Sequence, residues 1–330
     1  NEKNKTIVIT GSNGKSTTCK ILEQLLKKNN FNVKMGGNIG KSIFDLKIKK
    51  NTIIIIEASS YQLAYSKFVK PTYSLFLNIS KDHLDWHGNM NEYIKAKLKI
   101  FSLQEKKDIA LIKDKKIIKL FRNKKFQSKL KIINPHNYLK IKNKIINEYL
   151  KKDLNNENMS FAYEISKFFN ITDSNFVKTF SSFNGLPHRH EFFLKIKNIK
   201  FINDSKATNF NACKPALQNN KKIIWILGGQ PKKGDRFFLT DVKKNIIKCF
   251  IIGRHIDFFK KQINDRIKTH TSKKLENAVK SIFNFIKNNS DDQFTVLLSP
   301  ASASFDQYKN FAHRGNVFKK LVQTYAKRKF

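Results

Sequence analysis

With 330 residues, 40% of them hydrophobic, the chain is long enough to build two domains with real cores. No apolar run approaches the ~20 residues of a membrane span, which excludes membrane insertion, and Cys19, Cys213 and Cys249 lie far apart without Cys-x-x-Cys spacing, which excludes a disulfide framework or a zinc site and suits a reducing cytoplasm. The 65 basic against 25 acidic residues leave a net charge of +40, but the basic residues are overwhelmingly lysine, spread through every region without Arg-aromatic clustering. Drift in an A+T-rich genome accounts for that pattern, so no nucleic-acid partner is expected, although the charge favours anionic substrates at long range. The first residue is Asn1 and no basic-apolar leader follows it, so the chain reads as a fragment or a trimmed protein.

The β-branched run Ile7-Val8-Ile9 hands over to Gly11-Ser12-Asn13-Gly14-Lys15-Ser16-Thr17, after which Cys19, Ile21, Leu22, Leu25 and Leu26 share one helical face. That is strand, loop, helix. Backbone N–H groups and the helix N-terminus would surround a phosphate, Lys15 would reach the outer phosphates, and the Ser16 or Thr17 hydroxyl can hold Mg²⁺. The two glycines stand closer together than in the consensus phosphate loop, so this is a shortened form; the bland alternative is an ordinary turn with a solvated Lys15.

Phe31 to Met35 reads as a second strand running into Gly36-Gly37-Asn38-Ile39-Gly40, where paired glycines allow close backbone approach and Asn38 offers a donor and an acceptor. Thr52 to Glu57 is an unbroken apolar run ending in a carboxylate, as in a strand buried on both faces of a parallel sheet. Glu57 would then sit where ligands bind in open α/β sheets and can hold Mg²⁺; its alternative role is to cap the Ser59-Ser60 segment. Tyr73 to Leu77 is a further strand, followed by an Asp- and His-rich stretch, Asn78 to His87, suited to metal or phosphate. Tyr93, Ile94, Leu98 and Phe101 mark a helix whose Lys95, Lys97 and Lys99 read as a solvated face. Residues 105–150 give weak strand signals and no chemistry, and Glu157 to Phe169 and Asn175 to Phe180 read as amphipathic helices.

A boundary is placed at Phe183-Asn184-Gly185-Leu186-Pro187-His188-Arg189, giving domains 1–186 and 187–330. Beyond it strands are expected at Phe192 to Ile196, Lys200 to Asn203, Ile223 to Leu227, Cys249 to Ile252 and Thr295 to Leu298, with helices near Ala212 to Leu217, Thr240 to Ile247 and Lys274 to Ile286. Three polar clusters, 203–209, 228–235 and 299–306, follow strands and would open onto one sheet edge. The expected fold is therefore α/β: a central P-loop ATPase domain with a mostly parallel sheet, then a C-terminal Rossmann-like domain.

The ordered set Thr-Gly-Ser-Asn-Gly-Lys-Ser-Thr, Gly-Gly-Asn-Ile-Gly, Glu-Ala-Ser-Ser-Tyr-Gln-Leu, Asn-Ile-Ser-Lys-Asp-His-Leu-Asp, Gly-Leu-Pro-His-Arg, Asn-Asp-Ser-Lys-Ala-Thr-Asn and Ser-Pro-Ala-Ser-Ala-Ser-Phe-Asp spans Ile7 to about Val322. It resembles the Mur ligase family, most closely its D-glutamate-adding branch. The resemblance implies a cytoplasmic, monomeric enzyme of peptidoglycan precursor synthesis that uses ATP and Mg²⁺. It joins D-glutamate to UDP-N-acetylmuramoyl-L-alanine through an acyl phosphate, with no nucleic-acid or membrane partner. By motif, Gly11, Ser12, Asn13, Gly14, Lys15, Ser16 and Thr17 cradle ATP, and Asn155, Asn158, His188 and Arg189 lie near adenine and ribose. Asp204 and Lys206 match nucleotide- or phosphate-facing positions. Ser16, Glu57, His83 and Lys97 hold or orient Mg²⁺, Lys97 matching the lysine that the family carbamylates, and Lys15, His83, Lys97 and Lys206 are the catalytic set. Asn38 contacts the acceptor substrate, and Thr208, one of Lys232 or Lys233, Ser304 and Phe311 form the D-glutamate pocket.

The chain departs from the family pattern in three places. There is no room before Ile7 for the family's N-terminal domain that holds uridine diphosphate, Leu154 stands where a His-Asn pair usually begins, and the Gly-Gly-Gln-Pro-Lys-Lys segment is one residue longer than the family's form, which leaves the choice between Lys232 and Lys233 open. A folylpolyglutamate synthase is the nearest rival. Outside that superfamily the rivals are a nucleic-acid-binding P-loop protein and an inactive nucleotide-binding module.

Overall fold

Two six-stranded sheets organise the chain, one in residues 1–184 and one in 185–330. The computed structural model describes residues 4–39, 42–67, 70–183, 185–238, 241–263, 266–289 and 292–329; Gly40, Asn184 and Thr240 lie outside them.

In the first unit the strands are β1 (Thr6–Thr10), β2 (Val33–Gly37), β3 (Ile53–Glu57), β4 (Tyr73–Phe76), β5 (Ile109–Ile112) and β6 (Lys129–Ile132). They lie in the order β2-β3-β1-β4-β5-β6, and every pair is parallel. The helices are α1 (Lys15–Lys28), α2 (Ser60–Tyr65), α3 (Leu84–His87), α4 (Met90–Leu98), α5 (Lys115–Asn123), α6 (Pro135–Lys142), α7 (Glu148–Lys151), α8 (Asn156–Phe168) and α9 (Asp173–Thr179). Successive strand side chains point to opposite faces. Thus Ile7 and Ile9 of β1 pack with Leu22, Leu25 and Leu26 of α1 and Phe161 of α8, while Val8 packs with Leu63 of α2 and Ile94 and Leu98 of α4. Burial on both faces is why β3 needs isoleucine at four positions running. Because all six strands are parallel, the segments after β1, β2, β3 and β4 emerge at one edge of the sheet, where such folds bind ligands.

The second unit contains β7 (Glu191–Ile196), β8 (Ile199–Asn203), β9 (Ile223–Gly228), β10 (Ile246–Ile252), β11 (Lys268–Lys273) and β12 (Phe294–Leu298), ordered β11-β10-β9-β12-β8-β7. Only β7 runs antiparallel, forming a hairpin with β8. Helices α10 (Phe210–Gln218), α11 (Ile256–Ile263), α12 (Leu275–Lys287) and α13 (Phe311–Lys329) complete it. The fully buried Trp225 of β9 lies on the α10–α11 face, and Phe318 and Val322 of α13 pack with α12 on the other.

The mixed α/β class agrees with the sequence reading; several elements do not. The helix expected through residues 240–247 is, where described, one short turn at Lys243–Asn245 followed directly by β10, which starts at Ile246 because Ile246 pairs with Ile223 of β9. Sheet pairing overrides a weak helical pattern there. Residues 105–150 form two strands and three helices, in which lysines face outward while Ile117, Phe121, Tyr138 and Ile141 face inward. The edge strand β11, Lys-Thr-His-Thr-Ser-Lys, has no apolar residue to announce it. Among the described residues no helix is long and apolar enough to cross a membrane.

Candidate active site

Gly14 caps α1 in the left-handed conformation, φ 83°, and starts the helix without a side-chain cap. A Cβ at Gly14 would stand 2.5 Å from Oδ1 of Asn158, so both dihedral and space demand glycine. Asn158 Oδ1 also accepts from Thr18 Oγ1 at 3.2 Å, which ties α8 to the first turn of α1. Asn155, fully buried, donates to the Tyr149 carbonyl and accepts from Asn158, and so braces that residue. The other side of the loop is held by the segment after β4. Ser12 N donates to the Asn78 carbonyl, Asn13 N to Asn78 Oδ1 and Ser12 Oγ to the Ser80 carbonyl, while Tyr93 hydroxyl lies 3.0 Å from Ser12 Oγ. Lys15 Nζ reaches back to the Gly11 and Ser12 carbonyls, at 2.7 and 3.0 Å. Ser16 and Thr17 are buried at the helix start.

Lys97 overturns its pattern-based assignment to a solvated face. It is 1% exposed, and its ammonium donates to the Gly11 carbonyl at 2.9 Å and to Thr10 Oγ1 at 3.3 Å, directly beneath the loop. Burial, and then the charge of Lys15, hold its pKa well below that of an ordinary lysine, against the opposing pull of Asp82 and Glu57. Glu57 pairs in register with Ile9 on the strand leading into the loop. Its Oε1 accepts from Asn38 Nδ2 at 3.0 Å, and its buried Oε2 has no partner among the described residues. The expected alternative for Glu57, a cap on Ser59-Ser60, is not what forms: Ser59 and Gln62 cap α2 reciprocally. His83 adopts φ 54°, its Nδ1 lies 2.8 Å from the Tyr61 hydroxyl, and its Nε2 lies 3.4 Å from Asp82 Oδ2.

Among the described residues no three His, Cys, Asp or Glu side chains gather as a metal cage. Mg²⁺ does not require one, since it keeps several waters and takes one or two protein oxygens beside substrate phosphates. A buried carboxylate oxygen without a partner among the described residues, beside the glycine turn of Gly11 to Gly14, fits that demand.

In the second unit, Asp204 follows β8. Its Oδ1 accepts from His190 N and its Oδ2 from Ser299 Oγ at 2.7 Å, and burial pushes its pKa up to about 7, opposed by these bonds and by Arg189. His188 Nδ1 lies 2.8 Å from Asn203 Nδ2, and burial lowers its pKa, favouring the neutral ring. Lys206 Nζ sits 3.9 Å above the Phe311 ring, with the His188 ring on the same phenylalanine. Ser304 is buried, Thr208 and Lys232 are partly buried and Lys233 is exposed. Between the unfolded value for Asp204 of about 3.9 and the folded value of about 7 the native state holds a proton that the unfolded chain has lost, so this group's contribution to stability falls as pH rises through that window. Asp204→Asn should flatten the drop in urea midpoint between pH 5 and 7.5; an unchanged slope would show that Asp204 does not titrate there.

Sequence reasoning missed Asn78, Ser80 and Tyr93, which hold the loop, Tyr61, which meets His83, and Arg314, buried under the second unit's loops. None has a local signature, because Asn78, Ser80 and Tyr93 act on residues 65 or more positions away, Tyr61 on one 22 away, and Arg314 on Ser205, 109 away, as well as on the nearer Ser302 and Ala303.

The Mur ligase middle domain family matches residues 9–185. The UDP-N-acetylmuramoylalanine–D-glutamate ligase of Caulobacter sp. (strain K31) is 32% identical over 346 residues, 97% of this chain and 74% of that protein. The same-named ligase of Natranaerobius thermophilus is 31% identical over 96% of this chain and 73% of its own length. Among solved structures, the fold is similar to MurF ligase from Thermotoga maritima in complex with ADP (TM-score 0.73, 14% identity, 99% of this chain and 81% of that one). It is also similar to E. coli FolC in complex with ADP (TM-score 0.63, 13% identity, 98% and 90%). With the middle-domain match over more than half of its residues and relatives above 30% identity over nearly all of them, the chain belongs to the Mur ligase family.

Proposed function

We propose that this chain is an ATP-dependent ligase that adds D-glutamate to UDP-N-acetylmuramoyl-L-alanine. The observation that carries the phosphoryl-transfer half is the loop of Gly11 to Thr17 with Lys97 beneath it and Glu57 on the neighbouring strand. The names of the relatives that match 96–97% of the chain support the substrates.

A carboxylate resists attack by an amine because it is anionic and has no good leaving group. Transfer of the γ-phosphoryl group of ATP to one carboxylate oxygen removes both obstacles. The amine nitrogen of D-glutamate then forms the amide bond, and phosphate leaves with the oxygen it was given. The loop N–H groups hold the nucleotide, and Lys15 exchanges the Gly11 and Ser12 carbonyls for phosphate oxygens and stabilises the charge spread over the transferring group. Ser16, Glu57 and His83 are the residues that would hold Mg²⁺, with Asn38 fixing Glu57. Bound there, the ion supplies positive charge to the phosphates. Burial of Lys97 favours its neutral amine. That is the form whose nitrogen adds to the carbon of CO₂, releasing one proton and leaving a carbamate anion that can face the metal. In the second unit Thr208, one of Lys232 or Lys233, Ser304 and Phe311 take D-glutamate, where a cation suits a dicarboxylate.

The test is ADP release with ATP, Mg²⁺ and UDP-N-acetylmuramoyl-L-alanine, with and without D-glutamate, in this chain and in a fusion carrying the family's UDP-holding N-terminal domain. Turnover in the fusion should require D-glutamate and refuse L-glutamate. Turnover that instead requires a folate acceptor and L-glutamate, or none in either protein, would overturn the assignment.

A further inference from the structure

Arg314, in the first turn of α13, is 1% exposed. Its Nε donates to Ser205 Oγ at 3.0 Å, its Nη2 to the Ser205 and Ser302 carbonyls at 2.9 Å each, and its Nη1 to the Ala303 carbonyl at 3.3 Å. All these acceptors are neutral. Among the described residues no carboxylate pairs with the guanidinium, and Asp306 acts on it only through longer-range attraction, so burial brings its pKa down to about 10 and leaves it charged at neutral pH. A buried cation without a counter-charge is costly, and a fold that keeps one gains something else from it.

The bonds show what is gained. Ser205 belongs to the loop after β8 and precedes Lys206; Ser302 and Ala303 belong to the loop after β12 and precede Ser304. The loop after β9 joins them: Gln230 and Ala303 exchange two backbone hydrogen bonds of 2.9 Å, and Gly229 lies so close that a Cβ there would come 2.5 Å from the Ala303 carbonyl and 3.1 Å from Arg314 Nη1. One planar fork therefore holds two of the loops directly, and the third is tied to them through the Gln230–Ala303 pair. A lysine, with a single nitrogen on a flexible stem, cannot bridge Ser205 and Ser302-Ala303 at once.

We propose that Arg314 is the positioning residue of the amino-acid subsite: it locks these three loops in one register, and its uncompensated charge favours a dicarboxylic amino acid between them. The identity of the amino acid rests on the function proposed above; the locking of the loops does not.

The proposal is tested with Arg314→Met, Arg314→Lys and Ser205→Ala, measuring KM for D-glutamate and for ATP in the fusion protein and amide hydrogen exchange at Gln230 and Ala303 in this chain. Arg314→Met should raise KM for D-glutamate about tenfold or more while KM for ATP stays within about twofold. Arg314→Lys, which keeps the charge without the fork, should recover only part of that, and Ser205→Ala should give a shift of about threefold in the same direction. Exchange at Gln230 and Ala303 should quicken in all three. Arg314→Lys and Ser205→Ala decide the matter even where Arg314→Met fails to fold. Native exchange at Gln230 and Ala303 with an unchanged KM for D-glutamate in either variant would overturn the proposal. If the unsubstituted fusion shows no D-glutamate-dependent turnover, the proposed function falls, and the exchange rates still judge the lock.

Discussion

Lys97→Met should abolish turnover while making the chain harder to unfold. The substitution removes a buried amine whose charged form burial disfavours, and leaves an apolar chain of similar length beside the Tyr93 ring. The acceptors left behind stay occupied, since Gly11 O still receives Lys15 Nζ and the Thr10 hydroxyl still donates to the Ala58 carbonyl. Exchanging a buried ionisable group without a counter-charge for a well-packed apolar one stabilises by about 1–3 kcal/mol. With its folded pKa well below the ordinary value, Lys97 binds a proton in the unfolded chain that it does not bind in the native state, so its contribution to stability rises with pH toward about 10.4. The gain in Tm from Lys97→Met should accordingly be largest near neutral pH and shrink toward pH 10. For activity we expect a loss of about 10³-fold or more, as for removal of a group that stabilises charge in phosphoryl transfer. Lys97→Ala should regain part of its turnover when a short carboxylic acid is added, if a carbamate is what the site uses. Thermal melts across pH together with ADP release would check all of this. Native-like turnover in Lys97→Met would remove Lys97 from the chemistry, and a lowered Tm would mean that its two hydrogen bonds outweigh its burial.

Gly14→Ala should weaken nucleotide binding about 30–100-fold. Two costs add. The left-handed conformation at φ 83° costs a non-glycine residue about 1–2 kcal/mol, and the new methyl would stand 2.5 Å from Asn158 Oδ1, forcing that side chain to turn and give up its bond from Thr18, about 1 kcal/mol more. The loop moves in either case, and its N–H groups no longer converge. Calorimetric titration with ADP separates the two terms: Gly14→Ala with Asn158→Ala, measured against Asn158→Ala alone, removes the steric part and leaves the dihedral strain. If Gly14→Ala bound ADP within threefold of the unsubstituted chain, the geometry of this turn would not control affinity.

Much of the first unit was legible because its signals are local. A β-branched run, a glycine turn and a periodic helix within about twenty residues announce β1, the loop and α1, and the isoleucines of β3 announce a strand buried on both faces. The same logic fails at β11, whose edge position asks nothing of its side chains, and over residues 105–150, where lysines dilute the pattern. Lys97 was misread from periodicity for a related reason: spacing tells which residues share a helix face, and only the packed neighbours tell what covers that face.

The sequence by itself determined the fold class, the glycine turn between β1 and α1 that carries Lys15 and Ser16, and the carboxylate Glu57 ending its strand, because each follows from neighbours along the chain. Tertiary structure alone decided that Lys97 lies under Gly11, that Asn158 closes on Gly14, that Glu57 keeps one oxygen without a partner among the described residues, and that Arg314 ties together the loops after β8 and β12. Those are contacts across 86, 144 and more than 100 positions, or the absence of any. Burial and hydrogen bonding of that kind depend on which elements the sheet brings side by side, a quantity no window of sequence contains.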